Sequence, residues 1–84
     1  MTLQARAISV STREELARFI EDLAKDCRSH LDEWENGDLL SFLGAMAGWI
    51  QDMDEYYRRT GQRIEDLSAW RMLAEALLAA RSYE

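Results

Sequence analysis

Proline is absent from this 84-residue chain, cysteine and histidine occur once each, and only four glycines are present. Each scarcity excludes something. With Cys27 alone no internal disulfide can form, and small secreted domains ordinarily rely on several, so the sequence reads as cytoplasmic, in a reducing compartment. With His30 alone, paired Glu-x-x-His sites, the HExxH arrangement and Cys/His zinc sites all lack ligands. Without proline, and with only Gly37 and Gly61 placed as punctuation, long uninterrupted helices are expected. Bases are also few. Ten Lys and Arg against sixteen Asp and Glu leave a net charge of −6, which repels phosphate backbones and anionic lipid surfaces alike. No stretch approaches the roughly 18 apolar residues of a membrane span, and the opening residues form no apolar leader. Neither a nucleic acid nor a membrane is expected as partner.

Hydrophobic residues, by contrast, make up 48% of the chain and include three Trp, three Tyr and two Phe, which is too rich for a disordered tail. A single helical domain over 1–84, with a thin core, is expected. The first helix opens at Ser11-Thr12-Arg13-Glu14-Glu15, where a hydroxyl can accept from an unpaired backbone N–H and a Glu reaches back. Leu16, Phe19, Ile20, Leu23 and Cys27 then recur at helical spacing, placing this helix at about 12–29. Upstream, Ile8 and Val10 alternate with polar neighbours and predict a short extended arm. The segment from Ser29 to Gly37 loses the period and reads as a connector pinned by Leu31 and Trp34, with Asn36 or Asp38 capping the helix after it.

The second helix, about 38–60, is the longest and most apolar. Leu39, Leu43, Met46, Ile50, Met53 and Tyr57 form one stripe; Phe42, Trp49 and Tyr56 form another beside it. Together they make a face wider than one antiparallel neighbour covers, so this helix is expected to be central, contacted by two others or by another chain. Ser41, Gly44, Ala45 and Gly48 add a strip of small residues. Leu67, Trp70, Leu73, Ala74 and Leu77 define a third helix at about 67–82, with Asp66 or Ser68 as cap and Tyr83 folding back. The fold class is therefore all-α: an antiparallel three-helix bundle with a short extended N-terminal arm, or a four-helix bundle if residues 30–35 wind into a turn of their own.

No catalytic constellation accompanies these helices. Cys27 lies on an apolar helix face as an inert core thiol, and Asp52-Met53-Asp54-Glu55 lacks the remaining ligands and the Gly of a calcium loop. No catalytic residue, metal or cofactor is expected, and the chain is read as a non-enzyme. The uneven charge carries more information. Nine acids against three bases fall between Glu14 and Asp38, so this segment holds the whole negative excess. Either it is a solvated helix face, or it docks a partner protein with a basic surface. Most aromatics belong to the core; Trp34 and Tyr56, off the dominant stripes, are the candidate interface anchors.

Trp34-Glu35-Asn36, followed by Phe42-Leu43-x-Ala45-x-x-x-Trp49-Ile50-x-Asp52 and Tyr56-Tyr57, resembles a family of small stand-alone bacterial proteins known only as a domain of unknown function. The resemblance spans most of the chain, from the Glu-Glu-Leu that opens the first helix to Trp70 and Tyr83. It implies an all-α fold and no established activity; within it Asn36 is expected to cap the second helix and Asp52 to answer an arginine or a backbone donor.

Two functions are compatible with these residues. The first is a protein-binding module, an immunity-like antagonist or an adaptor, meeting a basic partner through Glu14, Glu21, Asp22 and Asp32 with Trp34 and Tyr56 as anchors. The second is a homodimer built on the broad apolar face of the second helix.

Overall fold

A computed structural model describes residues 2–83 and contains four α-helices: α1 (Leu3–Ser9), α2 (Arg13–Ser29), α3 (Leu39–Arg59) and α4 (Ala69–Ala79). Single 3₁₀ turns at Leu31–Glu33 and Ile64–Asp66 join the longer helices. The described residues contain no strand, so the all-α expectation holds.

Each long helix starts where a side chain can satisfy its first free amides. Thr12 accepts from the Glu15 amide at 3.1 Å, and the Glu15 carboxylate returns to the Ser11 amide at 2.9 Å. Donation from the Ser11 amide, and then from its hydroxyl, holds the Glu15 carboxyl below the ordinary glutamate range. Asp38 accepts from the Ser41 amide at 2.8 Å, and Ser68 from the Arg71 amide at 3.0 Å. The end of α3 is as sharply made. Gly61 takes a φ of +76°, its amide returns to the Arg58 carbonyl at 3.2 Å, and the Gln62 amide reaches the Tyr57 carbonyl at 2.8 Å. These two bonds form a Schellman motif, which needs the left-handed residue glycine supplies.

Two expectations are corrected. Residues 3–9 are a helix and not an extended arm: Thr2 caps the amide of Ala5 at 3.0 Å, and Ala7 and Val10 are buried. Packing decides the matter, because a seven-residue helix is unstable alone and forms only against α2 and α4. Nor is α3 the central helix. The hub is α4, which packs against α1, α2 and α3, while among the helices and 3₁₀ turns of the described residues α3 packs only on α4 and on the 3₁₀ turn that precedes α4. Ala74 and Ala76 on α4 and Ala80 just past its end are buried, and side chains this small let three neighbours come close around an eleven-residue helix.

The interior is accordingly divided. One cluster joins Ala7, Val10, Leu16, Phe19 and Leu23 to Ala74. The other joins Trp49 and Tyr57 to Ala76. Phe19 and Tyr57 are the largest fully buried side chains, one in each. Tyr57 donates its hydroxyl to Glu75 at 2.8 Å, and Arg71 donates to the same carboxylate at 2.9 Å and to Gln62 at 2.6 Å. Burial first, and the Glu75 carboxylate second, push the Tyr57 hydroxyl far above its ordinary pKa.

Candidate functional site

The connector places α3 relative to the rest. Trp34 donates its indole N–H to Asp26 of α2 at 2.8 Å, and its ring stacks on Phe42 with centroids 5.9 Å apart. The Arg81 guanidinium lies over the Trp34 ring, 5.9 Å from its centroid, and reaches Asp26 at 3.1 Å, with His30 beside the same carboxylate at 3.4 Å. The Trp34 hydrogen bond foremost, helped by Arg81, holds the Asp26 carboxyl below the usual aspartate range. Asn36 does not cap α3, a task Asp38 performs. Its side-chain amide instead donates to the carbonyls of Ala80 and Tyr83 at 3.1 and 3.0 Å, and its own backbone N–H to Arg81 at 2.8 Å. Tyr83 then folds back as expected, its ring lying 3.6 Å from where a Cβ on Gly48 would stand and its hydroxyl donating to Asp52. Thus Trp34 and Asn36 tie the connector to α2 and to the end of α4.

Held this way, α3 leans away from α2. No Cα of one comes within 8 Å of a Cα of the other among the described residues. The space between them is a groove of about 480 Å³ walled by Ile20, Ala24 and Cys27 on α2 and by Leu39 and Phe42 on α3, with Leu77 of α4 beneath. A separate apolar depression of about 200 Å³ lies between α3 and α4, lined by Ile50, Met53, Met72 and Leu73. The molecule is correspondingly open. Its radius of gyration is 12.5 Å, against about 11.8 Å expected for 84 residues. Its accessible surface is 5698 Å², against about 5,200 Å² for a compact monomer of 9.8 kDa.

Large apolar side chains are exposed on the same three helices. Leu39, Leu43 and Ile50 lie 72%, 52% and 40% exposed along one stripe of α3, and Leu40 beside them is 83% exposed. Ile20 on α2 and Trp70 and Leu73 on α4 are also exposed. The sequence from Leu39 to Gln51 contains no charged residue, although Leu39, Leu40, Leu43, Gly44, Ala47 and Ile50 all face solvent. A helix uncharged all round is ordinarily a buried one. Leu39, Leu43 and Ile50 belong to the stripe expected to be covered by two helices or by another chain, whereas Leu40 stands on neither stripe; the uncharged run was the signal available.

The six expected site residues differ in exposure and in their partners. Glu14 is exposed and 3.1 Å from Arg13. Asp22 is bound by Arg6 of α1 and lies 3.9 Å from Lys25. Glu21 and Asp32 are exposed, Asp32 on the 3₁₀ turn, and neither makes an ion pair among the described residues. Trp34 and Tyr56 are half-buried and not free anchors: Trp34 is held by Asp26, Phe42 and Arg81, and Tyr56 packs on Trp49 and Tyr57 at 5.8 and 5.2 Å. Cys27 lines the groove half-buried, at the margin of the core.

No helix among the described residues is long and apolar enough to cross a membrane. A family profile described as "Family of unknown function (DUF7660)" matches residues 12–84, so α1 precedes the matched region. No curated protein and no solved structure matches the chain.

Proposed function

We infer that this chain, which belongs to the DUF7660 family, is a non-enzymatic protein-interaction domain that works by seating a partner on the open apolar face formed by α2, α4 and α3. The observation that carries this reading is the uncharged run of α3 from Leu39 to Gln51, of which Leu39, Leu40, Leu43 and Ile50 are exposed, together with a groove at its start that no other part of the described chain fills. Exposed leucines at this density cost solubility, and burial of such a face is the ordinary gain in protein association.

The acidic surface of α2 is the weaker candidate for the main contact. Asp22 and Asp26 are engaged within the molecule, Glu15 serves the helix cap, and Arg18, Lys25 and Arg28 are interspersed among the remaining acids. Glu14, Glu21 and Asp32 keep a secondary role, steering a partner from the rim. The site of action is the cytoplasm, where Cys27 remains a thiol.

Placing a photo-reactive amino acid at position 40, 43 or 73, and as controls at position 18 or 65, tests this in living cells. Covalent adducts are expected from the first three positions and not from the controls. Adducts distributed equally, or none at 40, 43 and 73, refute the assignment of the face.

A further inference from the structure

We propose that a cleft between α1, α3 and α4 binds a small organic molecule in which a protonated amine stands next to a carbonyl oxygen on an apolar body. The cleft shares no lining residue with the groove beside α2, so the inference stands apart from the reading of the apolar face.

Both α1 and α3 pack on α4 without meeting each other, and a cleft of about 260 Å³ lies among the three. Gln4 and Ala7 line it from α1, Trp49 and Tyr56 from α3, and Glu75 and Leu78 from α4. Ligand sites for drug-sized molecules begin at about 300 Å³, so this one suits a smaller molecule.

Two polar atoms of its lining are unmatched. Trp49 is only 7% exposed, and a buried indole N–H ordinarily finds an acceptor. Yet among the described residues the Trp34 indole is the one that donates. Glu75 is the counterpart. Its side chain is 11% exposed, and Oε1 alone takes both the Tyr57 hydroxyl and the Arg71 guanidinium, which leaves Oε2 without a donor among the described residues. No side-chain polar atom closed off from solvent lacks a partner among those residues. The Trp49 N–H and Glu75 Oε2 are therefore the points at which two nearly buried side chains open outward. Tyr57 holds the pair in place: its ring meets Trp49 edge-on with centroids 6.0 Å apart, and its hydroxyl lies 2.8 Å from Glu75. Trp49 also borders a cleft beside Asp52 and Tyr83, but Glu75 does not, so the cleft next to α1 is the one that offers both atoms.

The unmatched pair defines the ligand. A carboxylate oxygen only accepts and an indole N–H only donates, so the occupant must supply one donor and one acceptor. A protonated amine is the stronger donor to a carboxylate, and the Trp49 and Tyr56 rings attract a cation. Arg81, which borders the cleft, does not compete, because Asp26 engages it at 3.1 Å. Ala7, Leu78 and Ala79 leave apolar surface for the body of the molecule.

Leucinamide combines these groups and serves as the probe. Titrated into the ¹⁵N-labelled full chain, it should shift the Trp49 indole N–H signal and saturate by about 10 mM, leaving the Trp34 and Trp70 indoles in place. N-acetyl-leucinamide, which keeps the carbonyl and the body but loses the charge, should bind about tenfold more weakly or worse, and Glu75→Gln should weaken leucinamide by a similar factor. Ser82 is exposed at the border of the cleft, so Ser82→Phe should abolish the shift while helical circular dichroism is unchanged; this variant decides the matter if E75Q unfolds. No saturable shift at Trp49 overturns the site, and so does a shift that survives S82F. Equal binding of the acetylated probe overturns the assignment of an amine.

Discussion

Exchanging Asn36 for aspartate separates two opposite accounts of the same residue. Placed three residues before the start of α3, Asn36 looks like a helix cap, and as a cap it would be matched by aspartate, which also favours the positive end of a helix. In the structure its amide nitrogen instead donates to the carbonyls of Ala80 and Tyr83 at 3.1 and 3.0 Å, just past the end of α4. Asn36→Ala removes both bonds and should cost about 1–3 kcal/mol, at roughly 0.5–1.5 kcal/mol each. Asn36→Asp keeps the shape, loses the donor and sets a negative charge against two carbonyl oxygens at the negative end of a helix, adding up to about 1 kcal/mol. The order of stability should therefore be Asn, then Ala, then Asp. In a domain of this size each 1 kcal/mol lowers Tm by about 4–8 °C, so thermal unfolding followed by circular dichroism resolves the three. The Asn36 backbone N–H, bound to Arg81 at 2.8 Å, is retained throughout and does not confuse the comparison. An aspartate variant as stable as the wild type, or more so, would falsify the latch and reinstate the cap.

Three other outcomes are expected. Phe19→Ala, emptying a fully buried site between α1, α2 and α4, should cost about 3–5 kcal/mol in urea unfolding, a large share of the total for so small a domain; a loss under 1 kcal/mol would mean that this cluster is not a core. The Asp26 carboxyl has its pKa lowered by folding, so the stability it contributes is complete above about pH 4 and declines as pH falls through the lower folded value. Trp34 fluorescence should track that decline in the wild type, while Asp26→Asn should lower stability at neutral pH and flatten the acid dependence; an unchanged acid profile in D26N contradicts the pairing. Gly44→Ala, in open space on a helix, should stabilise the protein by up to about 1 kcal/mol, whereas Gly61→Ala, at a φ of +76°, should destabilise it by about 1 kcal/mol, both read from urea unfolding.

The three long helices were legible because their apolar period and their caps agree: Thr12, Asp38 and Ser68 are each one of the two cap candidates read at their helix, and Gly61 ends α3. The first helix was not, since seven residues give too short a record for a period and the alternation of Ile8 and Val10 imitates a strand. Its helicity comes from Ala7, Val10 and the Arg6–Asp22 pair, all of them tertiary. The hub was misplaced for a related reason. Breadth of apolar surface marked α3 as central, but Ala74, Ala76 and Ala80 qualify α4 by being small, and smallness carries no periodic signature. Of the candidate site, the excess width of α3 was readable in advance, together with the alternative that another chain covers it. Which side stays open was not, because it depends on Trp34 and Asn36 finding partners on α2 and beyond α4. The acidic residues were visible as a cluster, while the arginine that binds Asp22 lies on the helix the sequence concealed.

Dividing the interior in two, with α4 alone common to both parts, has a bearing on how the protein opens. Detaching α3 breaks the cluster of Trp49 and Tyr57 yet leaves Phe19 and its neighbours intact on the other side of α4. Backbone amides of α3 should thus exchange with heavy water through a cheaper, partial opening, while those of α2 and α4 wait for global unfolding. The fold behaves as a keystone with two arches, and the arch that falls first is the one bearing the exposed leucines.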